Sequence, residues 1–271
     1  MSENEIDPLA AARPTINPYR TAASLVYHRL MWDLLPKSWV HRRRLKALKD
    51  SSKAKKALIL CNGPSLNQVD FDSIRSGSES VVVFGLNKIN LLFSRTTLRP
   101  DMLVSVNDLM IEQNADFYEQ TALPVFLNAN GRRFIADREN VFYLPLVNIR
   151  KFARDISVGV NPGYTVTFVA MQVAFHLGIR DVALVGCDHS FASKGPANKT
   201  IVSSEIDKNH FDPNYTSASE KWQLPDLAAS EDHYSLARDV YAGHGGRVVN
   251  CTNGGNLEIF QRMELSEWLK G

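Results

Sequence analysis

Four short apolar runs, each followed by a break and a segment of helix length, dominate the chain from residue 57 onward. They cover residues 58–60, 81–84, 102–106 and 182–185. Parallel strands that helices cover on both faces have this continuously apolar character, whereas half-exposed strands alternate apolar and polar residues. The pattern therefore predicts an α/β fold with a doubly wound, mostly parallel sheet of the Rossmann-like type.

The clearest helix signal lies between the third and fourth runs. Apolar residues recur there at the spacing of one helix face, at Val166, Val169, Val173 and Leu177. The tripeptide Asn161-Pro162-Gly163 offers an N-cap and a proline suited to the first helical turn. Gly178 supplies a stop. We therefore predict a helix that begins at this tripeptide and ends at Gly178.

The chain before the first run has a different character. Residues 1–20 contain three prolines and are typical of a loosely docked tail. Residues 29–56 hold ten Lys/Arg against two Asp/Glu, and apolar residues precede them at helical spacing, at Ala23, Val26, Leu30 and Leu34. We interpret residues 1–56 as a tail and a basic amphipathic helical arm, whose apolar face packs on the body. Contact of residues 21–56 with an anionic membrane is the alternative.

Charge and cysteine content narrow the class of protein. A net charge of +2 gives no indication of a nucleic-acid partner. Cys61, Cys187 and Cys251 stand far apart, without a Cys-x-x-Cys pair or close histidine spacing, so we expect neither disulfides nor a metal site. The polar, acidic start of the chain is unlike a secretory signal, and no run approaches the roughly 18 apolar residues of a membrane span. These features favour a cytoplasmic protein.

Polar residues follow each of the four apolar runs. They are Asn62, Asn87, Asn107 with Asp108, and Asp188. Open parallel sheets bind ligands beyond the carboxyl ends of their strands, where these side chains would converge. Gly63 would let a ligand approach the backbone, and Ser65 with its N–H would hold an anion at a helix start. Asn and Asp also favour turns, so the hypothesis depends on the number of such strand ends.

Several segments resemble the bacterial CMP-sialic-acid-dependent sialyltransferases that build lipooligosaccharide. They are NGPSL, SVNDLMIEQNADFY, GYTVTFVAMQVAFHLGIRDVALVGCD and HYSLARDVYAGHGGRVVNCTNGGNLEIF, which span roughly residues 57–265. The resemblance implies that residues 57–271 form a nucleotide-binding transferase domain with a lid-like insertion at about 190–230. It implies a CMP-sugar donor, a glycan or glycolipid acceptor and no further cofactor.

The resemblance also assigns roles to individual residues. The nucleotide would be held by Asn62, Gly63, Pro64, Ser65, Asn87, Asn107, Asp108 and Gly163. His210 in DKNHFDPNY would be the general base, with Asp188 and His189 beside it in the catalytic centre. The family's two tyrosines after its Gly-x-Asp strand are absent here. His189, Lys194 or Tyr215 would therefore contact the departing phosphate.

A second family competes with the first. LRPDMLVSVND and LGIRDVALVGCDHSF are similar to the MptE-like domain of archaeal 6-hydroxymethylpterin pyrophosphokinases and of motility-associated proteins implicated in glycosylating flagellin. This resemblance implies ATP and Mg²⁺, with Asp108 and Asp188 as the metal ligands and Asp101 near them. A non-catalytic protein that binds nucleotide sugars is a third interpretation, because fold alone does not define an activity.

Overall fold

The computed structural model describes residues 17–75, 81–190, 198–202, 207–216 and 220–271. The strands in this part of the chain are β1 (Lys56–Leu60), β2 (Val81–Leu86), β3 (Met102–Ser105), β4 (Val125–Asn128), β5 (Val141–Leu144), β6 (Asp181–Val185), β7 (Thr200–Val202), β8 (Lys221–Gln223), β9 (Arg247–Asn250) and β10 (Gln261–Arg262). The helices are α1 (Pro18–Leu34), α2 (Pro36–Ala47), α3 (Phe71–Ile74), α4 (Asp108–Gln113), α5 (Ala115–Gln120), α6 (Val166–His176), α7 (Leu227–Ala242) and α8 (Leu265–Lys270). Short 3₁₀ helices follow β1, β2 and β4, at Pro64–Gln68, Ile89–Ser94 and Ala129–Arg133.

One parallel sheet of eight strands organises the protein. Its strand order is β10-β9-β6-β1-β2-β3-β4-β5, and β7 pairs with β8 in a separate antiparallel ribbon. The chain runs outward from β1 to β5 and then crosses back to β6 on the other side of β1. This reversal opens a crevice between the carboxyl ends of β1 and β6, where open parallel sheets bind their ligands. The predicted Rossmann-like α/β fold is confirmed.

Side-chain alternation along the strands divides the core into two layers. In β1, Ala57 and Ile59 enter the layer formed with α2, α6 and α7, whereas Leu58 and Leu60 enter the layer formed with α4, α5 and α8. Both faces of the strand are therefore buried, which explains its continuously apolar sequence. The predicted strands at β1, β2, β3 and β6 are all present.

The helix α6 begins later than the sequence predicts. Its N-cap is Thr165, and Asn161 instead accepts a hydrogen bond from the N–H of Gly163. Gly163 and Tyr164 both have positive φ values, 57° and 61°, which a right-handed helix does not accommodate. The prediction of an N-cap at Asn161 is therefore wrong. The predicted end is confirmed, because the helix is followed by Gly178 with a φ of 95°.

The two helices of the N-terminal arm differ in how they meet the body. In α2, His41 and Leu45 are fully buried, so this helix packs on the body. In α1, the predicted apolar stripe faces outward, and Val26, Leu30 and Leu34 are 59%, 49% and 65% exposed. The prediction that this stripe packs on the body is wrong, because other positions of α1, chiefly Trp32, make that contact. In the described part of the chain, no helix is both long and apolar enough to cross a membrane.

Candidate active site at the strand ends

A cavity of about 160 Å³ lies at the carboxyl ends of β1, β2 and β6. The residues that line it include six of those predicted from the sequence, namely Asn62, Gly63, Asn87, Asp188, His189 and His210. The crossover topology brings them together, because they are separated by up to about half of the chain in sequence. Tyr164, Thr165, Tyr215 and Tyr234 complete part of the wall. Of these four residues, only Tyr215 was predicted from the sequence to contact the ligand.

Asn62 presents an unused acceptor in this cavity. Its Nδ2 donates to the carbonyl of Leu86 at 3.2 Å, whereas its Oδ1 is buried and accepts no hydrogen bond. A buried polar atom without a partner is costly, and a ligand hydroxyl or amino group would satisfy it. Asn87 differs, because its Oδ1 accepts from the hydroxyl of Ser105 at 3.1 Å. Of the two, Asn62 is therefore the one whose side-chain oxygen has no partner within the protein.

The carboxylate of Asp188 lies at the helix start after β1, where we predicted that Ser65 would hold a ligand anion. Its carboxylate accepts from the hydroxyl of Ser65 at 2.7 Å and from the Ser65 N–H at 3.2 Å. A Cβ atom on Gly63 would lie 2.0 Å from Asp188 Oδ2 and 2.7 Å from the carbonyl oxygen of Gly186. Gly63 thus allows close packing within the chain itself. Pro64 and Ser65 begin the following 3₁₀ helix behind this contact.

His210 and Asp207 form a hydrogen-bonded pair at the cavity wall. Asp207 Oδ2 lies 2.8 Å from His210 Nδ1, and the imidazole stacks on Tyr215 with 3.9 Å between ring centroids. Burial would raise the pKa of Asp207, but the hydrogen bond and charge of His210, with the Asn209 N–H and the Thr216 hydroxyl, hold that pKa below its ordinary value. When His210 is neutral, the ionised carboxylate holds the remaining imidazole proton at Nδ1, so that Nε2 carries the lone pair. This is the arrangement of a general base.

The segment 207–216 packs over the strand ends. The Phe211 N–H donates to the carbonyl of Asn62 at 2.9 Å, and Phe211 and Tyr215 are buried. Lys88, which directly follows Asn87, donates to the carbonyl of Tyr215 at 2.9 Å and to Glu220 at 2.8 Å. The neighbouring ranges 191–197, 203–206 and 217–219 of the predicted lid-like insertion, with Lys194, lie outside the described residues, as do residues 1–16 of the tail predicted at 1–20. The last residues of that predicted tail belong to α1, which begins at Pro18. The described part is a cover that contacts β1 and β2 directly.

His189 also reaches the cavity. It has a positive φ of 51°, and its Nε2 lies 3.0 Å from Glu231 Oε1. The imidazole is nearly buried while the glutamate is half-exposed. The position at the end of β6 therefore places a second histidine, with its own carboxylate partner, in the wall of the cavity.

Five of the eight residues predicted to hold the nucleotide do not line this cavity, namely Pro64, Ser65, Asn107, Asp108 and Gly163. Asn107 caps α4 by accepting from the Leu109 N–H and donates to Gln223. Asp108 accepts from the side chain of Asn128 at 2.6 Å. Gly163 lies against the ring of Phe168, where a Cβ atom would come within 2.2 Å of Cδ1. In the described structure, Asn107, Asp108 and Gly163 contact other residues of the protein.

The three aspartates of the predicted Mg²⁺ site lie far apart from one another. Asp101 precedes β3, at the opposite edge of the sheet from the cavity, and pairs with Arg75 at 3.0 Å. Asp108 and Asp188 follow β3 and β6, which are three strand positions apart, or about 14 Å at the usual strand spacing. One metal ion cannot bind both. Among the described residues, no group of three or more His, Cys, Asp or Glu side chains could hold a metal ion.

The cysteines of the crevice are poor nucleophiles. All three cysteines are free and buried. A hydrogen bond with Cys187, together with burial, raises the pKa of the Cys61 thiol well above its ordinary value. Burial likewise raises the pKa of the Tyr234 phenol, which lies near Cys187. These groups remain protonated near neutral pH, so the histidines are the groups of the cavity suited to proton transfer.

The sheet order, the switch point and this cavity define a Rossmann-like α/β protein whose candidate site lies at the strand ends. The family model described as 6-hydroxymethylpterin diphosphokinase MptE-like matches residues 36–194, more than half of the chain. The chain belongs to this MptE-like family.

One solved structure and the curated proteins complete the comparison. The MAf glycosyltransferase from Magnetospirillum magneticum AMB-1 is similar to this chain at 15% identity and a TM-score of 0.49. The match covers 93% of this chain and 43% of that protein, so the chain spans less than half of its length. No curated protein matches the chain.

Proposed function

We propose that the protein is a glycosyltransferase that uses a CMP-activated, sialic-acid-like or related sugar in the assembly of bacterial surface polysaccharide or glycolipid. One observation carries the proposal: the His210–Asp207 pair and the unpaired acceptor of Asn62 line the same cavity. Oδ1 of Asn62 would accept from the cytosine amino group or from a ribose hydroxyl. The reaction needs no cofactor beyond the donor.

The residues suggest how the transfer proceeds. The bond between the sugar's anomeric carbon and the phosphate oxygen breaks, CMP leaves, and a bond to an acceptor hydroxyl oxygen forms. His210 Nε2 takes the proton of that hydroxyl, and Asp207 stabilises the resulting imidazolium. His189, on the same wall, would contact the departing phosphate. A general base of this kind contributes typically about 10²- to 10⁴-fold to the rate.

The cover has to move for a nucleotide sugar to enter. The cavity of about 160 Å³ is smaller than the roughly 300 Å³ at the lower end of sites for drug-sized ligands. The contacts of Lys88 and of the Asn62 carbonyl hold the segment 207–216 over it. Opening of this segment therefore belongs to the proposed reaction cycle, and its closure over the donor would exclude water.

Two variants separate catalysis from binding. His210→Ala should retain affinity for CMP in calorimetry but lose about 10²- to 10⁴-fold in sugar transfer. Asn62→Ala should weaken CMP binding, because it removes the acceptor. His28→Ala, which changes an exposed histidine of α1, is the matched control and should change neither quantity. Normal turnover of His210→Ala would reject the assignment of the base.

A diphosphokinase is the second candidate, because the family's description names that activity. It would transfer diphosphate from ATP with Mg²⁺, and the separation of Asp108 from Asp188 requires one carboxylate and the phosphates themselves to hold the ion. A thermal-shift screen against CMP, CDP, UDP, GDP and ATP, with and without Mg²⁺, distinguishes the candidates. Stabilisation by CMP without Mg²⁺ supports glycosyl transfer, whereas stabilisation by ATP only with Mg²⁺ supports the diphosphokinase. Binding of CMP with no turnover of any donor would instead support a nucleotide-sugar-binding partner.

We further propose that this cytoplasmic protein contacts the inner face of the membrane through α1 and α2. The outward apolar stripe of α1 continues on α2, where Trp39 and Val40 are more than half exposed. Arg43 and Lys46 share that outer face and are exposed, without an acidic partner among the described residues. Exposed apolar side chains beside cations suit an anionic bilayer.

Vesicle co-sedimentation tests this contact. Binding should require anionic lipid and should fall in Leu34→Glu, which places a carboxylate in the stripe. The control Val202→Glu, an equally drastic change at an exposed residue of β7, should bind normally. Equal binding to neutral and anionic vesicles would contradict the electrostatic part of the proposal.

A further inference from the structure

A second, larger cavity lies between α1 and the body of the protein. Its volume is about 1160 Å³, and no residue lines both this cavity and the one at the strand ends. Leu25 and Trp32 of α1 form one wall, and Leu146, Val147 and Val158 lie across from them. Trp32 Nε1 donates to the carbonyl of Ser157 at 3.0 Å, which joins the two walls. The volume exceeds the roughly 1,000 Å³ upper range of sites for drug-sized ligands.

Arg132 lines this cavity, and part of its guanidinium has no hydrogen-bond acceptor. Its Nε and Nη2 atoms are buried and donate no hydrogen bond within the described part of the chain, and its Cζ lies 4.9 Å from the centre of the Tyr143 ring. The neighbouring carboxylate of Asp137 is engaged elsewhere, by His41 at 2.9 Å and Arg44 at 3.6 Å. A partly buried guanidinium without an acceptor is costly. Burial correspondingly lowers the pKa of Arg132.

The remaining charged residues of the lining are also predominantly basic. Five Lys/Arg besides Arg132 line the cavity, against two acidic residues, Asp50 and Asp155. The positive charge complements an anionic group, but a small ion would leave most of the apolar wall without a partner. An amphiphile satisfies both parts, because its hydrocarbon chain buries apolar surface while its head group meets the cation.

We propose that the cavity beneath α1 binds an amphiphile with one hydrocarbon chain and an anionic phosphate or carboxylate head group, with the head group at Arg132 and the chain between α1 and residues 146–158. The inference goes beyond the proposed transfer reaction and does not depend on it. It also differs from docking on a bilayer: Val26 and Leu30 of the exposed α1 stripe also line this cavity, whereas Leu34, Trp39 and Val40 do not.

Calorimetry with single-chain probes below their critical micelle concentrations tests the proposal. Oleoyl lysophosphatidate and oleate provide the two head-group chemistries, oleoyl lysophosphatidylcholine is the zwitterionic control, and inorganic phosphate lacks the chain. The anionic amphiphiles should bind to the full chain at least about tenfold more tightly than the zwitterion, because the trimethylammonium group of the zwitterion cancels the charge of its phosphate and meets a basic lining. Inorganic phosphate should bind far more weakly. A preference for lysophosphatidate over oleate identifies a phosphate, and the reverse identifies a carboxylate.

Paired variants locate the site. Arg132→Gln should abolish the preference for the anionic head group, whereas Arg133→Gln, at the exposed adjacent arginine, should preserve it. Val158→Glu should weaken every amphiphile, and Val202→Glu should weaken none. The proposal is overturned if no amphiphile binds, if the zwitterion binds as tightly as the anions, or if Arg132→Gln and Arg133→Gln behave alike. Val158 is partly exposed, so Val158→Glu should fold, and it tests the site even if Arg132→Gln unfolds.

Discussion

Gly63→Ala tests how the chain itself shapes the strand-end site. The backbone of Gly63, with φ −73° and ψ 164°, is accessible to any residue, so alanine introduces no backbone strain. The added Cβ atom, however, would lie 2.0 Å from Asp188 Oδ2 and 2.7 Å from the carbonyl oxygen of Gly186. The substitution therefore acts through two steric contacts, one with the Asp188 side chain and one with the backbone at Gly186.

The loss in unfolding free energy follows from the hydrogen bonds that the Asp188 carboxylate loses. To clear the Cβ atom it must retreat by about 1 Å, because real Cβ contacts essentially never fall below 3.0 Å. This breaks the 2.7 Å bond from the Ser65 hydroxyl and strains the bond from its N–H. Overpacking costs about 1–3 kcal/mol and a lost bond to a charged group about 1.5–3 kcal/mol, offset by about 0.4–1 kcal/mol from the unfolded state. We expect a net loss of about 2–5 kcal/mol.

Urea denaturation followed by circular dichroism measures this loss. Gly243→Ala is the matched control, since Gly243 has helical angles and a Cβ atom there would come no closer than 3.3 Å to another atom. A double-mutant cycle with Asp188→Ala isolates the contact. The cost of Gly63→Ala should fall by about 1.5–3 kcal/mol when Asp188 is absent, as the bonds to Ser65 are then already lost. Additivity within about 0.5 kcal/mol would refute the reasoning.

Three further predictions concern burial and charge. The pKa of Asp207 is lower in the folded state than in the unfolded one, so its carboxylate stabilises the fold above the unfolded value of about 3.9, and this contribution is lost as the pH falls through the folded pKa. Asp207→Asn should therefore destabilise the protein at neutral pH and reduce the acid dependence of its unfolding free energy below about pH 5, measured by urea titrations at several pH values. Gly163→Ala should lower Tm by several degrees in calorimetry, because it combines a positive φ with a 2.2 Å contact to Phe168, whereas an unchanged Tm would show that the loop adjusts freely. Burial raises the pKa of Cys251 to about 12, so iodoacetamide at pH 8 should label this thiol rapidly only in urea, as read by mass spectrometry, and rapid native labelling would contradict its burial.

The candidate site could be predicted in part because its residues carry local signals. Asn62, Asn87 and Asp188 each end an apolar run, and the parallel fold places such ends at one edge of the sheet. Asp207 was missed, although its position three residues before His210 is a spacing that brings two side chains together in a turn. Lys88 was missed because a lysine after a strand end is usually solvated, and its burial depends on a segment more than a hundred residues away.

The periodicity of apolar residues was sufficient to identify four strands, β1, β2, β3 and β6, with the helix α6 and the α/β class, because burial on both faces of a strand leaves a continuous local pattern. Chain order alone, however, does not say that β6 pairs with β1, nor that Asp188 meets Ser65 and fills the space beside Gly63. Nor could spacing reveal which face of α1 meets the body, since its stripe is equally apolar whether it is buried or exposed. These properties arise from contacts between residues distant in the chain, and their energies depend on packing that no local pattern records.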